Sequence, residues 1–430
     1  MSAKWQWLLS QLNRTLWMRA ALFAVVAVAA ALLAVVAENW LPASFPLAVS
    51  VDGVDRILDI LASSMLAVTT FSLSVMVAAH SAATSNVSPR ATLLLREDAT
   101  TRNVLATFIG SFLFALVSIV ALSLGSYGER GRLVLFLVTL GVIALIVITI
   151  LRWIEHLTRL GRVGETTDRV EHAIRAAMEA RTRHACLGGV PAPEEPPPAG
   201  AVAVHQARVG YVRHLDVSAL AACADALDSD IRVVAAPGAF VHPARPLAWI
   251  LAGADADARE RVAAAFTIGD ERSFDQDPRF GLAVLAEIAS RALSPAVNDP
   301  GTAIDVIGRA VRILCLWRAC GERSEEARHP RVQVPSIPLK DLFDDIFLPI
   351  ERDGAALFEV QVRLLKALEA LAVNGGGDFA VNARHHAGLA LERAERTLLL
   401  DEEKAPLRAL LRRIHQVPEA GATRGTTSGN

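Results

Sequence analysis

Four long apolar runs lie between residues 20 and 154, and they constrain the fold of this chain more than any other feature. A helix needs about 20 apolar residues to cross the roughly 30 Å of bilayer hydrocarbon. The runs predict membrane spans at about 20–37, 57–79, 104–124 and 133–153. No later run of the sequence is apolar for as long, so we expect a transmembrane domain over residues 1–155 and a domain outside the bilayer after it.

The distribution of Lys and Arg predicts how the spans are oriented, because cytoplasmic flanks carry the excess of positive charge. Basic residues collect before the first span (Arg14, Arg19), after the second (Arg90, Arg96) and after the fourth. We therefore expect a multi-pass protein with cytoplasmic N- and C-termini. The first span is longer than the apolar core of a typical signal peptide, and we expect it to remain uncleaved.

Composition and motifs narrow the function classes. The balance of 43 basic and 45 acidic residues argues against a nucleic-acid partner. No phosphate-binding loop or nucleophile elbow occurs in the sequence, so neither an enzyme nor a cofactor is predicted. The four cysteines lack the two-residue spacing of a metal or redox pair, and we expect them to be reduced thiols in the cytoplasm. They are Cys186, Cys223, Cys315 and Cys320.

The predicted fold class is a membrane α-helical protein with four transmembrane helices and a cytoplasmic α+β region. That region is expected to contain a connecting helix at 156–185, a Pro-rich linker at 186–200, a small β-rich module at 201–252, a mainly helical domain at 253–415 and a disordered tail at 416–430. Strands are predicted at 201–205, 209–214, 231–235, 247–251 and 331–335. Helices are predicted at 218–227, 255–265, 279–295, 301–321, 338–351, 355–373, 380–399 and 402–414.

The segment 236–248 of the β-rich module is similar to the turn segment of biotinyl/lipoyl-type barrels. Its sequence combines Pro237-Gly238 with a proline-flanked stretch from Pro243 to Pro246. The module contains no lysine, so a lysine-linked prosthetic group is excluded. The similarity therefore predicts shape alone.

The second predicted span carries small and hydroxyl residues at steps of three and four, which places them along one side of a helix. One interpretation is close helix packing through small residues. The other is a hydroxyl-lined path through an oligomer, flanked by Asp59 and His80, since hydroxyls replace part of an ion's hydration shell. The stripe consists of Ser63, Ala67, Thr70, Ser74, Ala78, Ser81 and Ser85.

A polar segment outside the predicted spans has both a structural and a functional interpretation. Ser294 precedes a proline and so favours a helix end, and Asn298 or Asp299 can cap the next helix with Pro300 at its first position. Alternatively, the side-chain oxygens of this segment converge as ligands for a hard cation or as contacts for a phosphorylated ligand. The spacing of these residues matches no calcium-binding loop, and no metal is predicted. The candidate cluster consists of Arg272, Asp275, Asp277, Arg291, Ser294, Asn298 and Asp299.

Four motifs in order carry a resemblance to a known family: 87–90 (VSPR), 210–216 (GYVRHLD), 269–281 and 289–303. Over about residues 15–415 the chain resembles the bacterial predicted membrane proteins grouped as domain of unknown function 2254. The resemblance implies four membrane helices, a cytoplasmic domain and no known activity. It also implies two histidines near 154–156, where this chain has only His156.

The function hypothesis is an oligomeric channel or transport-like protein of the bacterial inner membrane with a cytoplasmic regulatory domain. Its expected partners are the lipid bilayer and further copies of the chain. The alternative is a membrane-anchored scaffold or sensor that binds a cytoplasmic partner or a small ligand.

Overall fold

The computed structural model describes residues 21, 22, 24–26, 28, 29, 51–86, 88–91, 93, 94, 99–125, 129–159, 162–183, 185–321 and 327–418. The described residues form two compact units. The membrane unit contains those up to 85 and 92–165, and the α/β unit contains 86–91 and those from 166 onward. Most of the predicted first span and most of the predicted tail at 416–430 lie outside the described residues.

The membrane unit contains three long helices: α1 (Val51–Asn86), α2 (Ala99–Ser123) and α3 (Glu129–Arg159). Within them, Gly53–Ala79, Thr100–Ser123 and Gly131–Thr158 are long and apolar enough to cross a bilayer. The predictions of membrane-length helices at 57–79, 104–124 and 133–153 are thus confirmed, whereas the total of four spans stays a prediction. The helices extend beyond the apolar runs because the backbone hydrogen bonds continue into the polar flanks.

One face of α1 packs into an apolar core shared with the other two helices. Its contributions are Val54, Leu58, Leu61 and Met65. Helix α2 is the most buried of the three and supplies Phe108 and Phe114, while α3 supplies Leu135, Ile146 and Trp153.

The α/β unit begins with α4 (Val163–Arg183), of which all but the first turn belongs to this unit, and a short 3₁₀ turn (Ala185–Gly188). Eight strands follow along the chain. They are β1 (Val190–Pro191), β2 (Val202–Val204), β3 (Gly210–Leu215), β4 (Ile231–Val233), β5 (Phe240–Val241), β6 (Ala248–Ile250), β7 (Phe266–Gly269) and β8 (Val332–Val334). Helix α5 (Val217–Leu227) follows β3, and α6 (Ala256–Ala264) precedes β7.

The strands form two sheets. The larger has the order β1-β8-β4-β6-β2, with β8 parallel to both of its neighbours and the other pairs antiparallel. The smaller is antiparallel with the order β5-β3-β7. Strand β1 lies within the segment predicted to be a linker, and β7 and β8 come from the sequence after residue 252. Both sheets therefore draw on residues beyond 201–252.

Six further helices complete the α/β unit: α7 (Pro278–Ala292), α8 (Pro300–Gly321), α9 (Leu339–Asp353), α10 (Phe358–Gly375), α11 (Gly377–Thr397) and α12 (Asp401–Gln416). Helix α7 packs on α8 and α9, α10 packs on α8 and α11, and α12 covers α10 and α11. Each of these helices was predicted, with bounds that differ by a few residues.

Candidate functional site

The predicted stripe of α1 lies on the outer surface of the single chain. Ser63, Thr70, Ser74 and Ser81 are exposed, as are Ala67 and Ala78 between them. At 3.6 residues per turn, this stripe is about half a turn from the face that Val54, Leu58 and Met65 bury in the bundle. Large apolar side chains flank it on both sides, among them Leu66, Phe71 and Leu73.

Three of the stripe hydroxyls donate hydrogen bonds to carbonyl oxygens of their own helix. Ser63 Oγ donates to the carbonyl of Asp59 at 2.9 Å, Thr70 Oγ1 to that of Leu66 at 2.9 Å, and Ser74 Oγ to that of Thr70 at 3.0 Å. Each hydroxyl therefore has an acceptor without a second helix or water. These bonds allow the stripe to lie against an apolar surface and favour packing over a hydrated lining.

Other hydroxyl side chains are buried inside the membrane unit. Ser72 on α1 is 1% exposed and Ser118 on α2 is 0% exposed. Unlike the stripe residues, neither hydroxyl has a hydrogen-bond partner in the part of the protein that the structure describes. A set of buried hydroxyl residues on α2 and α3 lies in the same bundle. It consists of Thr101, Thr107, Ser111, Thr139 and Thr149.

In the α/β unit, three members of the predicted polar cluster lie at the N-terminus of α7. Asp277 is the N-cap and accepts a bond from the backbone N–H of Phe280 at 3.1 Å. The guanidinium of Arg272 binds both of its carboxylate oxygens, at 2.8 and 3.0 Å. Asp275 accepts a bond from the hydroxyl of Ser273 at 2.9 Å. The arrangement stabilises a helix start.

The other four members lie at the C-terminal end of the same helix. Arg291 is in its last turn, and the Ser294 hydroxyl donates to the carbonyl of Arg291 at 2.7 Å. Asn298 adopts the left-handed conformation, with φ of 49°. Asp299 caps α8, since it accepts bonds from the backbone N–H of Thr302 at 3.1 Å and from its hydroxyl at 2.6 Å. These hydrogen bonds lower the pKa of Asp299.

The seven residues therefore do not form one cluster, because the 15 residues of α7 separate the two groups. A helix of that length extends about 22 Å. Among the described residues, no group of three or more His, Cys, Asp or Glu side chains could hold a metal ion. Of the two capping residues proposed from the sequence, Asp299 is the one that caps α8.

The segment before α7 joins two of the sequence motifs. The side-chain amide of Gln276 accepts a bond from the backbone N–H of Leu215 at 2.9 Å and donates to its carbonyl at 3.3 Å. Arg181 of α4 donates to the carbonyl of Gln276 at 3.2 Å. Burial lowers the pKa of Arg181, and the negative charge of nearby Asp277 opposes that effect. The end of β3, the start of α7 and α4 meet at this point.

A network of ion pairs fixes α4 to α8. Glu171 is almost fully buried and accepts bonds from Arg309 at 2.8 Å, from Arg312 at 3.0 and 2.8 Å, and from Arg175. Burial alone would raise the pKa of Glu171, but the hydrogen bonds and charges of these arginines outweigh it and lower the pKa to about 2. Helix α4, which follows α3 in the chain, is therefore a fixed part of the α/β unit.

The segment that follows α1 is held by a single carboxylate of α7. The hydroxyl of Ser88 donates to Glu287 Oε2 at 2.5 Å, and the guanidinium of Arg90 binds Glu287 Oε1. Ser88 is buried, while Arg90 is largely exposed. This contact gives the 87–90 motif a structural role, although Val87 itself lies outside the described residues.

Most of these anchoring residues could not be predicted from the sequence. Glu171 and Glu287 each occur among other charged residues of a helix, and their partners on other elements are more than 130 positions away in the sequence. The buried hydroxyl of Ser72 could have been found, since it lies on the helical face opposite the stripe.

Comparisons with known proteins agree with the presence of membrane helices. A family model described as a predicted membrane protein family (DUF2254) matches residues 13–370. An uncharacterized protein of Mycobacterium bovis and one of Mycobacterium tuberculosis are each 38% identical to the chain over 117 residues. Those residues are 26% of this chain and 22% of each relative, so the matched region is about a fifth of the relatives' length. No solved structure matches the chain.

Proposed function

The chain belongs to the family of predicted membrane proteins grouped as domain of unknown function 2254, and from that premise we propose that it is an oligomeric, transport-like protein of the bacterial inner membrane. In this proposal the α/β unit and both chain termini are cytoplasmic, and the α/β unit regulates the membrane helices. The bilayer and further copies of the chain are its partners.

The observation that carries the proposal is the outward stripe of α1. Lipid chains favour large apolar side chains, whereas small residues allow two helix backbones to approach closely. The stripe residues Ser63, Thr70 and Ser74 are exposed in one chain and bonded within their own helix. A matching stripe on a second copy provides the surface that such residues pack against, and we assign the stripe to assembly.

The regulatory part of the proposal rests on the two segments that connect α1 and α3 to the rest of the chain. Ser88 and Arg90 are bound by Glu287 of α7, and α4 is bound through Glu171 to α8. Any change in α7 or α8 that follows ligand or partner binding is therefore passed to chain segments that continue directly into membrane helices.

Disulfide cross-linking in native membranes tests the assembly. With Thr70→Cys, mild oxidation is expected to give a covalent dimer. Leu73→Cys is the matched control, because Leu73 is also exposed but lies outside the stripe. The unsubstituted protein controls for its own cysteines. Assembly through the stripe is contradicted if the two variants cross-link equally, or if Thr70→Cys forms no covalent dimer.

Ion and solute flux into proteoliposomes tests transport. Thr70→Phe places a bulky side chain in the stripe and is expected to reduce flux several-fold, whereas Leu73→Phe should leave it within about twofold. If the assembled protein supports no flux above protein-free vesicles, the transport proposal fails, and the alternative of a membrane-anchored scaffold or sensor becomes the better hypothesis.

A further inference from the structure

Hydroxyl groups in the membrane unit differ in whether they bond their own helix. The buried hydroxyls of Thr107, Thr139 and Thr149 each donate to the carbonyl four residues earlier. The exposed hydroxyls of Ser63, Thr70 and Ser74 also donate to their own helix, as described above. Ser72 Oγ and Ser118 Oγ are buried in the bundle and have no partner among the described residues. A helical serine can donate to the carbonyl oxygen four residues earlier. When a buried serine does not make this bond, its hydroxyl group is available to donate to another acceptor, such as a water molecule.

The buried hydroxyls lie at several levels along α2. Along α2 they occur at Thr101, Thr107, Ser111 and Ser118, and all four side chains are at most 6% exposed. At 1.5 Å per residue, the first and the last are about 26 Å apart. The hydrocarbon core measures about 30 Å. Thr107, Ser111 and Ser118 share one side of α2 and cover about 16 Å of that depth, whereas Thr101 lies about a third of a turn away from this side.

Helix α3 places hydroxyls at the same levels. Helices α2 and α3 are consecutive and packed together, and Thr101 Oγ1 lies 3.3 Å from His156 Nε2, which fixes their antiparallel register. In that register, Thr149 is level with Thr107, and Thr139 is level with Ser118. Thr139 and Thr149 are buried, and their hydroxyls donate to carbonyls of α3 at 2.7 Å. Their oxygen lone pairs stay available as acceptors.

We propose that a hydrated path runs beside the apolar core of the membrane unit, and that these buried hydroxyls bind water molecules along α2 and α3. A buried water needs two to four polar partners. The levels of Thr107 and Ser118 each offer hydroxyl groups on both α2 and α3. The unpartnered donors of Ser72 and Ser118 bond this water. Hydration deepens the transport proposal and rests on that proposal only for its biological purpose. It assigns the polar route to the interior of one chain, and the α1 stripe is then left for assembly.

The ligand class is water, with small polar solutes able to replace it. The hydroxyl residues that form this set are uncharged, so a bare divalent cation would lack the carboxylates that it requires. Hydroxyl groups exchange hydrogen bonds with passing water at little cost, which suits conduction better than tight binding.

Accessibility of introduced thiols in the full-length protein, reconstituted in liposomes, tests the proposal. Ser118→Cys is treated from the aqueous phase with 2-aminoethyl methanethiosulfonate, and modification of residue 118 is followed by mass spectrometry. Ala115→Cys, one turn away on α2 and equally buried, is the matched control. We expect modification at 118 to be at least tenfold faster than at 115. No modification at 118, or equal rates at both positions, overturns the proposal.

A second measurement does not depend on the reagent. If the Ser118 hydroxyl binds water, Ser118→Ala removes that bond and lowers the Tm of the protein in nanodiscs. If the hydroxyl is dry and unbonded, Ser118→Ala removes only a desolvation penalty and raises the Tm. A raised Tm therefore counts against hydration. Thiol modification and Tm are measured independently of cross-linking and flux. The experiments therefore distinguish a hydrated protein that does not transport from a transporting protein whose interior is dry.

Discussion

A β-carbon placed on Gly281 would lie 2.2 Å from Cγ1 of Ile174, so α4 and α7 touch at a point where only glycine leaves room. Ile174 is fully buried by this contact. Helix α4 follows the last membrane helix in the chain, and α7 also holds the segment that follows α1 through Glu287. The two chain segments that continue into membrane helices are therefore attached to the α/β unit at a pair of helices in direct contact.

Gly281→Ala is expected to destabilise the α/β unit by about 1–2 kcal/mol, because the overlap with Ile174 outweighs the better helix propensity of alanine. Combining it with Ile174→Ala should cost less than the sum of the two single changes. Gly308→Ala on α8 is the control, since nothing lies within 4 Å of its β-carbon position and stability should stay equal or rise. Thermal unfolding of the four variants measures this, and strict additivity would contradict the contact.

Glu171→Gln is expected to lower stability at pH 7 by roughly 2 kcal/mol, because it leaves two arginines of α8 without their shared carboxylate and solvent screens part of the loss. Glu179→Gln, at an exposed position of the same helix, should change stability by less than about 0.5 kcal/mol.

The same residue predicts a pH dependence. Folding lowers the pKa of Glu171 from 4.5 to about 2. Because the folded-state pKa is the lower one, the stabilisation is complete above about pH 4.5 and is lost as the pH falls towards 2. Unfolding measured between pH 7 and pH 3 should show a steeper loss for the wild type than for Glu171→Gln. Parallel curves would show that the carboxylate is not ion-paired.

Asp299→Ala is expected to destabilise α8 by about 1 kcal/mol, because it removes the side chain that accepts the backbone N–H of Thr302. Asp299→Asn keeps an acceptor oxygen and should retain most of that stability. Amide hydrogen exchange in the first turn of α8 reports the difference locally. If Asp299→Ala exchanges at the same rate as the wild type, the cap contributes nothing to the stability of this turn.

Glu287→Ala is expected to release the segment around Arg90 and to make trypsin cleavage after Arg90 roughly tenfold faster, since the variant loses charge-assisted bonds to Arg90 and Ser88. Glu260→Ala, at an exposed position of α6, is the control and should leave the cleavage rate unchanged. A cleavage rate that is the same in both variants would show that Glu287 does not hold this segment.

The sequence predicted local features well. Apolar length identified the three described membrane helices, and the Asp299-Pro300 pair marked the start of α8 because both signals act within one helical turn. The direction in which the stripe faces could not be predicted, since a helical period assigns residues to a face without saying what that face contacts.

Long-range pairings were also beyond the sequence. The bonds of Glu171 with Arg309 and of Ser88 with Glu287 depend on tertiary packing, and no local pattern predicts them. Strand β8 was predicted, but its parallel pairing with both β1 and β4 was not, because a three-residue strand carries no register information.

The position of β8 in the sheet also affects how the protein is made. Strand β1 is an edge strand whose partner among the described strands is β8, and about 140 residues separate the two in the chain. A ribosome adds about 5–20 residues per second, so the backbone groups of β1 wait for roughly 7–30 s after their synthesis before their partner exists. During that interval the nascent chain, already inserted through its membrane helices, presents an open strand edge to the translation machinery and its chaperones.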